Sequence, residues 1–344
     1  MKGERKKGDE GWWHRSVAIA GFPPFTSYLS TFPPFATSLI LLLLFSLTLV
    51  STPAWAQTIY IYEDEHGVTH FTDRQPETER EVTIQRAVAE PEEMLDVRRH
   101  GPSESPVWMF RNRTHGPLAV RVALGEQDNV VTQPMLPHTF VLGPLEDREL
   151  VTIGPFDRYR SWSYRLETES LPGRPDAAHR PGQPYRAPFS QGARFRIGQA
   201  FGGSFSHDQP SNYHAVDIAM PVGTPVHAAR EGVVMDQARY FHGAGEDMER
   251  YGDRANFVRL LHDDGTMAVY AHLDYEGVRV APGQRVERGQ LIGKSGNTGF
   301  TTGPHLHFVV QKNRNMELVS VPFEFGGTNG SGVTPRQGLR LEAR

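Results

Sequence analysis

The chain contains no cysteine. That excludes disulfide staples and thiolate ligands, and leaves His, Asp and Glu to build any metal site. Excess positive charge is also missing. The 36 Lys+Arg against 40 Asp+Glu give a formal net charge of −4, so no basic footprint marks nucleic acid as a partner. Long apolar runs are scarce. The clearest, TSLILLLLFSLTLV at 37–50, is shorter than the ~20 residues of a usual membrane span. It closes on STPAWA, and the small residues Ala54 and Ala56 fit a signal-cleavage site. Residues 1–56 thus read as an export signal with a long leader, cut after Ala56, sending the remainder to the periplasm or cell envelope. An uncleaved anchor is the competing reading, and it exports the remainder as well.

What is plentiful is punctuation. The 34 Gly and 26 Pro favour turns and short strands over long helices, so the expected fold is mainly β. Segment 58–75 alternates apolar and polar residues around a His-Gly turn, a hairpin signature, and residues 57–80 are taken as a short N-terminal hairpin domain. Residues 81–104 are charged and weakly patterned, which suggests a linker, partly helical around Glu92–Arg99. Short alternating runs across 105–184 suit a β-sandwich module. Segment 185–325 is also strand-rich, and the Gly-rich, charged 326–344 is expected to be a flexible tail.

Candidate chemistry collects in 185–325. Of the 15 histidines, His207, His214, His227, His242, His262, His272, His305 and His307 fall in about a third of the chain. In Gly303-Pro304-His305-Leu306-His307-Phe308, strand alternation projects His305 and His307 to one face and sends Leu306 and Phe308 to the other. Two surface histidines on an edge strand would give the same spacing. Asp217 lies between Val216 and Ile218 and is a good zinc ligand beside imidazoles; a turn or capping Asp is its plainer reading. His272, in MAVYAHLD, shares by parity a face with Tyr270.

Together these segments resemble the lysostaphin-type (LytM-like) zinc metallopeptidases over about residues 199–323. The resemblance rests on Asp217 before GTPV-x-A-x-x-G-V-V, on the Y-x-H-L strand, on the glycine-patterned run at 280–299, and on the closing G-P-H-L-H-F. It implies a compact antiparallel β peptidase domain with a groove. One departure stands out. The family's His-x-Gly-x-Asp motif would need His four before Asp217, where Tyr213 stands; His214 is three before, on the opposite strand face. The upstream Gln199-Ala-Phe-Gly-Gly-Ser-Phe-Ser-His207 resembles a variant branch in which a Gly-rich loop supplies the first histidine.

The ligand set implied by the resemblance is His207, Asp217 and His307 on Zn²⁺, with His214 as the alternative first ligand. His305 is implied as the general base, and His272 as a hydrogen-bond donor to the oxyanion. His227, His242 and His262 are read as surface residues. The implied activity is hydrolysis of peptide cross-links in peptidoglycan peptide stems, D-Ala–diaminopimelate in the first instance. Envelope proteins are candidate partners of the N-terminal modules, which also resemble, at 58–75, a short proteobacterial envelope domain of unknown function. Two rival readings are a ligand-depleted regulator of cell-wall amidases and a biotinyl/lipoyl-like carrier built on the hairpin ending at Lys294. A stretch of 57–184 is also a candidate inhibitory flap over the groove.

Overall fold

A computed structural model of the chain describes residues 17–21, 57–63, 69–72, 75–78, 80–87, 93–327 and 330–344. The expected signal run and its cleavage point lie outside the described residues. Among the described residues, no helix is long and apolar enough to cross a membrane. The fold is mainly β, and among the described residues the one α-helix is the short Met248–Tyr251.

Three units follow one another. In the first, Gln57–Glu63 is the middle strand between Thr69–Thr72 and Thr83–Ala87. The second is a β-sandwich. One sheet holds Leu118–Asp128, His138–Leu142 and Ser163–Pro172, with Val17–Gly21 along the outer edge of the last. A chain cut after Ala56 would lose that edge strand. The other sheet orders Leu95–His100, Val107–Asn112, Asp147–Pro155 and Val130–Gln133. Trp108, Phe110 and Ile153 from one sheet and Val120, Val122 and Leu166 from the other are buried in one cluster, each worth about 1.5–3 kcal/mol of burial.

Three expectations need correction here. The linker at 81–104 holds two strands, Thr83–Ala87 and Leu95–His100, and the described residues 93–99 of the expected helix form none. The second is an edge strand rich in exposed Arg and His, a composition that guards sheet edges and hides the pattern. The tail at 326–344 is not loose: Arg340–Glu342 pairs with Arg194–Gln199, and Leu341 and Ala343 are buried. Their alternation is masked by the flanking charges. His262, read as a surface residue, is buried, its Nδ1 2.6 Å from the Glu231 carbonyl; burial pushes its pKa down to about 4.

The third unit is an antiparallel sheet in the order 285–286, 232–238, 256–261, 267–273, 306–313, 216–219, 194–199, 340–342. One face carries the main core, including Val216, Ile218, Val258, Tyr270, Leu306 and Phe308. The small sheet of Pro225–His227 and Leu291–Lys294 contributes Val226 and Ile292 to that core. The opposite face serves two purposes. At one end Met235 and Met267 pack with Leu171 of the sandwich and Leu318. This junction is tied by His115 N–H to the Met235 carbonyl (2.8 Å) and by Asn313 Nδ2 to the Gly173 carbonyl (3.2 Å). At the other end the same face is open and forms a groove.

Candidate metal centre

The floor of the groove is set by register. His307 lies opposite Asp217 on one neighbouring strand and opposite Ala271 on the other, and Asp217 lies opposite Gln199. Directly opposed residues share a face, so these four side chains form a row. Their sequence neighbours Val216, Ile218, Leu306 and Phe308 point into the core.

His207 arrives from above. It ends the Gly-rich loop after Gln199 and is fully buried. Its Nδ1 is 3.0 Å from the Ala200 carbonyl, so that nitrogen carries the hydrogen and Nε2 the lone pair. Nε2 lies 3.2 Å from Asp217 Oδ1 yet has no hydrogen-bond partner: an acceptor faces an acceptor. His307 Nδ1 is 2.9 Å from the same oxygen. Two atoms each bound to one zinc at about 2.1 Å are at most about 4.2 Å apart, and both separations fall within that. Ligand atoms of His207, Asp217 and His307 all lie within 4.8 Å of one another. The orphaned Nε2 and the shared carboxylate oxygen are the arrangement a cation would complete.

Gln199 was missed as a functional residue. Its Nε2 donates to Asp217 Oδ2 (3.1 Å) and Ser206 Oγ (2.9 Å), while its Oε1 accepts from the Phe205 N–H (3.2 Å). It holds the second carboxylate oxygen and leaves Oδ1 to the histidines. A β-bulge between Ile197 and Gln199 sets its direction. Gly203 makes room for it: a Cβ there would sit 2.2 Å from Gln199 Cγ. The signal in the sequence is the Gln-to-His spacing of the loop, which by itself does not say what the Gln touches.

His305 and His272 stand beside the cluster. His305 Nδ1 contacts the Gly303 carbonyl (2.8 Å) and Thr301 Oγ1 (3.2 Å), and its Nε2 is 3.6 Å from Asp217 Oδ1. His272 corrects the parity argument. It does not share the core-facing side of Tyr270. Asn256 pairs with Leu273 and Phe257 with Ala271, so His272 is the extra residue of a bulge, with φ at +60°. The bulge turns it into the groove, 4.6 Å from the His305 ring and 5.8 Å from that of His307 between centroids. Its Nδ1 is 2.7 Å from the Thr298 carbonyl. Close packing keeps Thr298 in place: a Cβ on Gly296 would lie 2.4 Å from the Asp274 nitrogen. His214 lies elsewhere. Its N–H reaches Ser320 Oγ (3.0 Å) and its ring meets the edge of Phe201.

Burial alone would raise the Asp217 carboxyl, but the imidazoles of His207, His307 and His305 hold it well below its usual value. Burial lowers His307 despite that carboxylate. Burial, with the neighbouring His305 and His307, takes His272 down to about 3. An ionised Asp217 beside a His307 whose charged form is disfavoured is the protonation state that metal binding requires of these two groups.

The groove encloses about 610 Å³. Phe205, Ser206, Asp208, Gln209, Ser211, Asn212, Met248 and residues 300–304 are among those that line it. Phe205 stacks on Phe300 (5.8 Å, 12°), and both Phe205 and Met248 are half exposed. The residues that line the groove fall between 198 and 311.

Residues 211–318 match the model of peptidase family M23, and residues 46–94 match a domain of unknown function (DUF4124). Asp217, His272, His305 and His307 fall inside the first match; His207 lies just before it. Among curated proteins, the peptidoglycan DD-endopeptidase ShyA of Vibrio cholerae is 43% identical over 96 residues, 28% of this chain and 19% of its own length. The glycyl-glycine endopeptidase ALE-1 of Staphylococcus capitis is 36% identical over 127 residues, 36% of this chain and 32% of its own. The chain therefore spans a third or less of these relatives. The solved catalytic domain of lysostaphin from Staphylococcus simulans is 31% identical, covering 35% of this chain and 81% of that one, at a TM-score of 0.26.

Proposed function

We propose that this chain, which carries a peptidase family M23 domain, is an exported zinc-dependent endopeptidase that hydrolyses peptide cross-links of peptidoglycan. D-Ala–diaminopimelate is the favoured bond, and peptide stems are the substrate. One observation carries the reading: the His207, Asp217 and His307 donors converge within 4.8 Å on the floor of an open groove, with two further imidazoles beside them. The completeness of that set weighs against the ligand-depleted regulator. The convergence of imidazoles is also foreign to a carrier domain.

His207, Asp217 and His307 would hold the ion, three protein donors being the number a catalytic zinc usually takes. Bound zinc would supply Lewis acidity at the scissile carbonyl and make a water acidic near neutral pH. Gln199 and the Ala200 carbonyl orient the ligands, a role whose loss typically costs 10- to 100-fold in metal affinity. His305, its hydrogen turned toward Gly303, presents Nε2 to the site and accepts the proton of the attacking water. His272 carries its hydrogen toward Thr298. Burial disfavours the second proton that donation to a developing oxyanion would need, so His272 presents its other ring nitrogen beside His305 as a hydrogen-bond acceptor.

The test is zinc stoichiometry and muropeptide digestion by wild type, His207→Ala and His214→Ala. The expected result is loss of zinc and of peptide products in His207→Ala alone. Loss of zinc in His214→Ala alone would reverse the ligand assignment. Stoichiometric zinc in wild type with no peptide release would favour the amidase-regulator reading.

A further inference from the structure

We propose that Asp208 makes the groove selective for peptides bearing a free ammonium group close to the cleaved bond. This rests on the endopeptidase reading and narrows its substrate class. The residues lining the groove include two carboxylates, Asp208 and Asp217, and neither Lys nor Arg. Asp217 is committed to the histidines and to Gln199. Asp208 is not: its side chain meets Gln209 Nε2 at 3.4 Å, and among the described residues no cation pairs with it. It is exposed yet stands on a fixed base. The adjoining His207 is locked by its backbone N–H to the Gly203 carbonyl (2.9 Å) and by its ring to Ala200. Among the other lining residues, Phe300, Thr301, Thr302, Gly303 and Pro304 offer hydroxyls and apolar surface but no charge.

A carboxylate held next to the site, with no competing cation in the groove, attracts a positive group on an incoming peptide and gives nothing to a negative one. A cross-link whose donor stem keeps the side-chain ammonium of its own diamino acid, close to the cleaved bond, fits this chemistry. A cross-link in which that donor amine is acylated does not.

The experiment uses the zinc-loaded exported chain and two cross-linked peptides that differ only in acetylation of the free amine. Wild type should favour the free amine by about three- to fivefold in kcat/KM, the scale of a partly exposed ion pair, and by more at low salt. In Asp208→Asn the ratio should fall close to one, and in Asp208→Lys it should invert. A ratio of one in wild type, or an unchanged ratio in Asp208→Asn, overturns the proposal. Calorimetric binding of both peptides separates it from the reading beneath it. No cleavage with a retained binding preference sinks the endopeptidase reading and leaves the charge preference standing; equal binding sinks the charge preference.

Discussion

Two neighbouring strands of one sheet bring histidines to the same groove by different means. On Leu306–Asn313, strict alternation does the work: His307 faces the groove while Leu306 and Phe308 are buried behind it. On Met267–Leu273, alternation would have sent His272 into the core with Tyr270, and a bulge with φ at +60° turns it back. A ligand placed by periodicity can be read from sequence. A residue placed by a break in periodicity is visible only once the pairing of both strands is known.

Substitution on the regular strand should have the largest effect. His307→Ala is expected to lose bound zinc and with it all measurable peptide release. His305→Ala, one turn of the pattern away, should keep zinc and lose about 10²- to 10⁴-fold in kcat. Metal analysis beside muropeptide digestion checks both, and zinc retained by His307→Ala would remove the distinction.

The same contrast marks how much of the molecule was legible. The mainly β fold and the projection of His305 and His307 to one side of the closing strand were visible as patterns of residue types, while the Gly-rich loop ending at His207 was visible only through the family resemblance. Gln199 was not, because its role depends on a bulge and on space left by Gly203. Leu95–His100 and Arg340–Glu342 were hidden because edge strands dressed in charge look like linker or tail.

The loop offers the next effect in size. Gly203→Ala drives a methyl into Gln199 and should free the Asp217 carboxylate, weakening zinc affinity by about 10- to 100-fold. Competition with a chelator measures this. An unchanged affinity would mean that Gln199 does not orient the ligand.

The bulge can be tested by stability. A β-branched residue is poorly suited to φ near +60°, whereas Asn tolerates it. His272→Val should therefore cost about 1–3 kcal/mol more than His272→Asn in urea unfolding of the zinc-free chain. The corresponding pair at His305, a position absent from the positive-φ residues, should differ by less. Equal costs at the two sites would speak against the bulge.

A histidine outside the groove offers a test by pH. His262 is buried neutral, with its folded pKa lowered to about 4 from 6.5. The unfolded chain binds this proton more readily, so the contribution to stability is complete above about pH 6.5 and is lost as pH falls toward 4. His262→Gln should flatten that part of the stability–pH profile. A profile of unchanged slope would show that this ring does not set it.

The convergence of His207, Asp217 and His307 on one ion is best tested by anomalous scattering at the zinc edge from crystals of the chain. One peak is expected about 2.0–2.2 Å from donor atoms of His207, Asp217 and His307, with His214 remote from it. A peak on His214, or none in a protein that cleaves its peptide, would contradict it.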